Sequence, residues 1–279
     1  MKIGIVGHGV VGSAMARFLS KQPRHQVFIY DKFQPPYDSL ERKLQINASD
    51  LAFLCVPTPA AADGFSCDVS AVEECLDWIT PPVCIRSTVI PGTVDRLAAQ
   101  TGKSIAFSPE YLGEHPDHPW HQEGACGFMI VGGPPDLCDL VLSVFDGLGL
   151  RLYRTSARAA ELCKYMENSF LATKVAFVNQ FYDIASALHV DFGELRELWL
   201  ADPRIGPSHS FVTEERGFRG RCLPKDVSAL AEAMRPLGGT PLLEAILKYN
   251  NDLCLQMDRR RQLASAMSTG AMSTSSISK

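Results

Sequence analysis

The residues with the clearest chemical potential lie in one short segment, Gly217-Phe218-Arg219-Gly220-Arg221-Cys222-Leu223-Pro224-Lys225-Asp226. Its thiol sits in a glycine-flanked turn with Arg219, Arg221 and Lys225 nearby, ahead of a helix that begins near Pro224. Positive charge and a helix N-terminus both lower a thiol pKa, and the thiolate is the nucleophile. A second group, Glu161, Lys164 and Asn168, is spaced i, i+3 and i+7 and so shares one helix face. Such a trio either faces solvent or lines a site; the apolar residues crowding the same sector favour a buried polar cluster. A third, Gly7-x-Gly9-x-x-Gly12, follows an apolar run, opens a helical stretch and is followed 19 residues after Gly12 by Asp31.

That last context is what a dinucleotide turn requires. Gly7 permits the tight turn, Gly9 lets the backbone approach a pyrophosphate, and Gly12 allows helix and strand to pack closely. The N–H groups at the helix start, around Val10 and Val11, face the phosphates. Asp31 would accept hydrogen bonds from ribose hydroxyls and repel a 2′-phosphate, favouring NAD over NADP. Lys32 runs against that preference, since it could face the phosphate.

The elements that must hold these groups are legible as alternation. Apolar runs at residues 3–6, 26–30, 50–56, 83–86, 104–107 and 128–131 read as strands, and helical patterns at 13–21, 69–79, 93–100 and 135–148 lie between most of them. Strands alternating with helices predict a parallel, doubly wound α/β sheet. The texture then changes. Residues 156–190 contain no glycine or proline and read as one long helix or two in close succession, with further helices at 192–200, 225–235 and 241–261. We therefore expect a dinucleotide-binding domain over 1–154, a helical domain over 155–264 and a frayed Ser/Thr-rich tail over 265–279.

Composition narrows the partners. The chain has 279 residues, 46% hydrophobic and 21% charged, with a formal net charge of −4. That balance argues against nonspecific binding to nucleic acid or to an anionic membrane. No apolar run approaches the roughly 20 residues needed to span a bilayer. The first residues move straight into a strand with no room for a signal peptide, so a cytoplasmic location is expected. Nine cysteines are scattered without a C-x-x-C pair, and their default reading is buried free thiols. No metal site is expected.

Further motifs fall in order along the chain: Val56-Pro57-Thr58-Pro59, Ser87-Thr88-Val89-Ile90-Pro91-Gly92-Thr93, Ser108-Pro109-Glu110-Tyr111-Leu112, and Arg204-Ile205-Gly206-Pro207. With the Cys222 segment, which is similar to G-F-G-G-x-C-F-x-K-D, they resemble the UDP-glucose/GDP-mannose dehydrogenase family. The resemblance implies a Rossmann-like sheet followed by an all-helical, 6-phosphogluconate-dehydrogenase-like dimerisation domain. It implies NAD as cofactor, a nucleotide sugar as substrate, a homodimer, and oxidation of a primary alcohol to an acid with two hydride transfers. Carried over, Lys164 and Thr88 assist proton removal and Cys222 attacks the aldehyde to form a thiohemiacetal. Glu110 is the base that hydrolyses the resulting thioester. Lys164 and Asn168 hold the oxyanion, and Asp226 orients water or Lys164. The family pattern further implies cofactor contacts at Val56, Pro57, Thr58, Ser87, Thr88, Glu110 and Lys225. Substrate contacts fall at Tyr111, Leu112, Lys164, Asn168, Arg204, Gly217, Phe218 and Cys222.

Several features depart from that pattern. Only 18 residues separate Asp31 from Asp50, fewer than relatives carry. Arg219 stands where the family has glycine, which is costly if the position needs φ > 0. The stretch 208–216 is unusually polar, and relatives carry a further α/β domain where this sequence runs into its Ser/Thr-rich tail. From that we expect NAD binding with slow turnover of UDP-glucose. Two other readings stay open: a β-hydroxyacid dehydrogenase with a single hydride transfer, and an NAD-binding protein without turnover.

Overall fold

The computed structural model describes residues 1–64, 66–113, 120 and 122–274, with side chains through residue 266. The chain packs as two compact units, Met1–Met166 and Glu167–Lys279.

In the first unit the chain runs β1 (Lys2–Val6), α1 (Val10–Ser20), β2 (Gln26–Tyr30), α2 (Leu40–Asn47), β3 (Leu51–Leu54), α3 (Ser70–Trp78), β4 (Val83–Ile85), α4 (Thr93–Thr101), β5 (Ile105–Phe107), β6 (Phe128–Gly132), α5 (Pro135–Phe145) and β7 (Arg151–Thr155). They build one seven-stranded sheet, ordered β2-β1-β3-β4-β5-β6-β7. The order reverses between β1 and β3, so the turn after β1 opens at the switch point where ligands of such sheets bind. Every strand pair is parallel except β5 with β6, so the doubly wound sheet is the mostly parallel one that the alternation predicts. Both faces are covered. Ile3, Ile5, Phe53 and Cys84 pack with α1 and α5, whereas Val6, Leu54, Ile85 and Phe107 pack with residues of α3 and α4. Period-2 alternation between two buried faces explains why the strands read as unbroken apolar runs.

Two elements went unread in the sequence. Helix α2 is short and mostly polar; Ser39 caps it by accepting from Arg42 N at 3.3 Å. It fills the brief interval between Asp31 and Asp50. Strand β7 is an edge strand whose residues are half-exposed or exposed, and it carries little apolar signal.

Helix α6 (Ala157–Ala187) is a single helix of 31 residues. The expected domain boundary at residue 155 is the end of β7, but Ala157 and Ala160 belong to the first unit's core, so that unit keeps the opening turns of α6. The second unit continues with α7 (Phe192–Leu200), α8 (Leu223–Met234) and α9 (Pro241–Thr274). Ala172, Ala176, Phe218, Val227 and Ile246 form its core. Helix α9 runs past the expected end at 261 and through most of the expected tail, because its Ala, Met and Gln residues are adequate helix formers. Residues 275–279 lie outside the described residues. No described helix is long and apolar enough to cross a membrane.

Candidate active site

The first unit presents the glycine turn as the sequence requires. Gly7 has φ +90°, and a Cβ there would lie 2.6 Å from the Cys55 carbonyl oxygen; a Cβ on Gly12 would lie 1.8 Å from that of Gly7. Gly9 has open space where a side chain would stand, and as N-cap of α1 it offers no side-chain partner to the helix N–H groups. Val10, just inside the helix, is exposed. The Asp31 carboxylate accepts from His8 N at 2.7 Å and Phe33 N at 2.9 Å, which fixes its rotamer beside the turn. Lone pairs remain for two hydroxyls. A helix N-terminus without a side-chain cap, beside an oriented carboxylate, fits a dinucleotide.

Hydroxyls of the two loops after β3 and β4 tie those loops together. Thr58 Oγ1 donates to the Thr88 carbonyl at 2.7 Å, and Ser87 Oγ to the Val56 carbonyl at 2.6 Å. Pro57 is exposed and Thr88 half-buried. The loop after β5 brings Glu110 to Lys164: Glu110 Oε2 accepts from Leu112 N at 2.8 Å, and its other oxygen lies 3.9 Å from Lys164 Nζ. The ammonium also lies 5.0 Å from the Tyr111 ring centroid. At 3.9 Å the charges attract but leave room for a bridging oxygen between them.

Glu161, Lys164 and Asn168 are all buried, yet they serve different partners. Glu161 caps α4, accepting from Gly92 N at 2.6 Å and Val94 N at 2.9 Å. Burial outweighs these donors and pushes its carboxyl up to about 7. Between its ordinary value of 4.5 and that value the folded chain holds a proton that the unfolded chain has shed. This group's stabilisation is therefore fully present at low pH and is lost as pH rises through about 7. Glu161→Gln should flatten the pH dependence of unfolding free energy across that window; parallel curves for variant and wild type would show that the carboxyl does not titrate there.

In the second unit Asn168 Nδ2 donates to Asp226 Oδ2 at 2.6 Å, and Lys225 Nζ meets Asp226 Oδ1 at 2.5 Å. Asp226 lies in the first turn of α8, where negative charge is favoured. Cys222 is the N-cap of that helix and makes no side-chain cap bond. Its loop is held from behind. Asn250, buried on α9, accepts from Phe218 N at 2.7 Å and donates to Phe218 O at 3.0 Å, as a strand neighbour would. Gly217, at φ +70°, must be glycine, because a Cβ would meet Asn250 Oδ1 at 2.6 Å. Arg216 also takes a left-handed φ, +57°, and its guanidinium bonds Asn179 Oδ1 at 2.7 Å and Asp183 Oδ1 at 2.8 Å. Such strain costs about 1–3 kcal/mol and persists only where surrounding bonds over-determine it.

Arg219 resolves differently from the expectation. Its φ is not left-handed, and its guanidinium reaches α9, bonding Asp258 Oδ1 at 2.9 Å and the Cys254 carbonyl at 3.2 Å. The residue that departs from the family's glycine is an extra tether for the loop. Arg204 is exposed and pairs with Asp202. The cysteines divide as well. Burial pushes Cys55 and Cys75 up to about 12, as inert thiols should be, whereas Cys163 is exposed, against the default of burial. Among the described residues no cluster of His, Cys, Asp or Glu is placed to hold a metal ion. Asn250, Asn179 and Asp258 were missed by sequence reading, since a lone amide or carboxylate on a helix carries no local sign of a distant loop.

A dinucleotide turn at a sheet switch point, followed by a helical unit bearing a tethered cysteine at a helix N-terminus, defines a two-unit dehydrogenase. Residues 37–116 match the NAD binding domain of the UDP-glucose/GDP-mannose dehydrogenase family, and residues 158–252 match its central domain. The chain belongs to that family, and its cofactor is NAD. It is 28% identical to GDP-mannose 6-dehydrogenase of Pseudomonas syringae pv. syringae over 90% of this chain and 68% of that protein. It is likewise 28% identical to a UDP-glucose 6-dehydrogenase of Bacillus subtilis, over 90% of this chain and 66% of that one. Among solved structures, a UDP-glucose dehydrogenase from the archaeon Pyrobaculum islandicum superposes with a TM-score of 0.79 at 26% identity, over 90% of this chain and 68% of that one.

Proposed function

We propose that this chain oxidises the primary alcohol of a nucleotide sugar to the corresponding acid through a Cys222-bound intermediate. The observation that carries the reading is the Cys222 loop, with a thiol at the N-terminus of α8 and its backbone held by Asn250. NAD, when bound, supplies the hydride acceptor for both oxidations. Lys164, with Thr88, draws the proton from the alcohol as it becomes an aldehyde. Cys222 Sγ then adds to the aldehyde carbon, and loss of a second hydride and proton leaves a thioester. Glu110 takes a proton from the water that cleaves it, releasing the acid and restoring the thiol. Lys164 and Asn168 stabilise oxyanion charge, and Asp226 keeps the Asn168 amide oriented through its bond.

Asp31 binds the adenosine ribose in this reading, and the turn Gly7 to Gly12 binds the pyrophosphate. The chain works as a homodimer through α6, where Met166, Phe170, Phe177, Phe181 and Ile184 are exposed at helical spacing. Counting reduced cofactor per substrate consumed tests the reaction, with UDP-glucose, GDP-mannose and UDP-N-acetyl sugars as substrates. Two equivalents with acid as product are expected. One equivalent with a stable carbonyl product would replace this reading with a single hydride transfer, and none with every substrate would mean cofactor binding without turnover.

A further inference from the structure

We propose that Glu74 enforces the choice of NAD over NADP by pairing with Lys32 and withholding that ammonium from a 2′-phosphate. The inference rests on the reading of Asp31 as the ribose-binding carboxylate. In sheets of this kind the acid at the end of the second strand meets the ribose hydroxyls, and a cation close by is what accommodates a 2′-phosphate. This sequence carries both, Asp31 and Lys32, side by side. The structure shows where the cation has gone: Lys32 Nζ lies 2.7 Å from Glu74 Oε1 and 3.0 Å from Oε2.

The fold puts Glu74 there. β2 is the sheet edge, and Tyr30 at its end packs edge-on against Trp78 of α3, with ring centroids 5.2 Å apart. Glu74 lies one turn before Trp78 and shares its helix face. The same contact that seats α3 against β2 therefore lays a carboxylate over the segment following Tyr30. Its neighbour Glu73 is engaged elsewhere, 2.9 Å from Arg96, so Glu74 remains for Lys32. Each partner holds the other charged: the pairing raises the Lys32 pKa and lowers that of Glu74. Asp31, Lys32 and Glu74 together carry net negative charge at the ribose, which a phosphate must approach at a cost.

The pair is exposed and adds little to stability, so the variants should fold as the wild type does. Titrating NAD and NADP against the purified chain, wild type and Glu74→Gln, reads the effect directly. NADP should bind about five- to tenfold tighter to the variant at low salt, the scale of one surface charge pair. NAD affinity should stay within about twofold. Adding Lys32→Gln should abolish the gain, and raising the salt should shrink it. An unchanged NADP affinity in Glu74→Gln, or a gain that survives loss of Lys32, overturns the proposal. Asp31→Asn separates the two levels. If it relaxes the NAD preference while Glu74→Gln does nothing, only the role of Glu74 falls; if it changes neither affinity, the ribose reading falls and takes the proposal with it.

Discussion

Cys222→Ser is expected to cut net acid formation by about a thousandfold or more, because a serine hydroxyl is a far poorer nucleophile at neutral pH. In the proposed mechanism the first oxidation does not use the thiol. The variant should therefore still release aldehyde, with one equivalent of reduced cofactor rather than two. Cys163→Ser and Cys254→Ser should lose little. Cys254 packs against the Cys222 loop, with its sulfur 3.1 Å from where a Gly217 Cβ would stand, and burial raises its pKa, so its role is packing. Cys163 is exposed on α6, inside the helix and not at its N-cap. Comparable losses at all three positions would sink nucleophilic catalysis and leave packing as the cause. Full acid formation by Cys222→Ser would remove the covalent intermediate altogether.

The largest stability effect is expected at Arg86, which is buried beyond the end of β4. Its guanidinium donates to Ser108 Oγ at 2.8 Å and to Glu123 Oε1 at 2.7 Å, and both partners are buried with it. Burial pushes the Glu123 carboxyl up against the pull of Arg86. Removing only the cation leaves a carboxyl in the core with nothing to balance it, which costs about 3–5 kcal/mol. Arg86→Met should lower the urea midpoint accordingly. The deficit should shrink at acid pH, where Glu123 is protonated and its burial is cheaper. Arg86→Met combined with Glu123→Leu should recover most of the loss, since a buried pair replaced by apolar side chains of similar size is often neutral. If the double variant is as unstable as the single one, the deficit comes from packing and not from the stranded charge.

Local instructions were readable wherever the physics is local. Residues 192–200 read as a helix from their apolar spacing, and in the structure Asp191 caps it, accepting from Glu194 N at 2.7 Å. Gly7, Gly9 and Gly12 were readable because steric limits at a tight turn act within a few residues. The long run of α6 was readable from the absence of glycine and proline. Strand β7 was not, since an edge strand half in solvent needs few apolar residues. Helix α2 was not, since its stability comes from packing on β1 and β2 more than from its own pattern.

What only the tertiary structure decided is which distant groups meet. Glu161, Lys164 and Asn168 share a helix face by spacing alone, but that Glu161 caps α4 while Asn168 holds Asp226 depends on neighbours tens of residues away. Arg219 stands out in the sequence as a misplaced cation; Asp258 on α9 makes it a tether. Lys32 reads as a weakness in the preference for NAD until Glu74 is seen beside it. Hydrophobic periodicity, caps and left-handed turns are set by atoms a few residues apart, so one sequence states them outright. Ion pairs and buried amides form between segments that topology brings together, and a single chain carries no local mark of its distant partner.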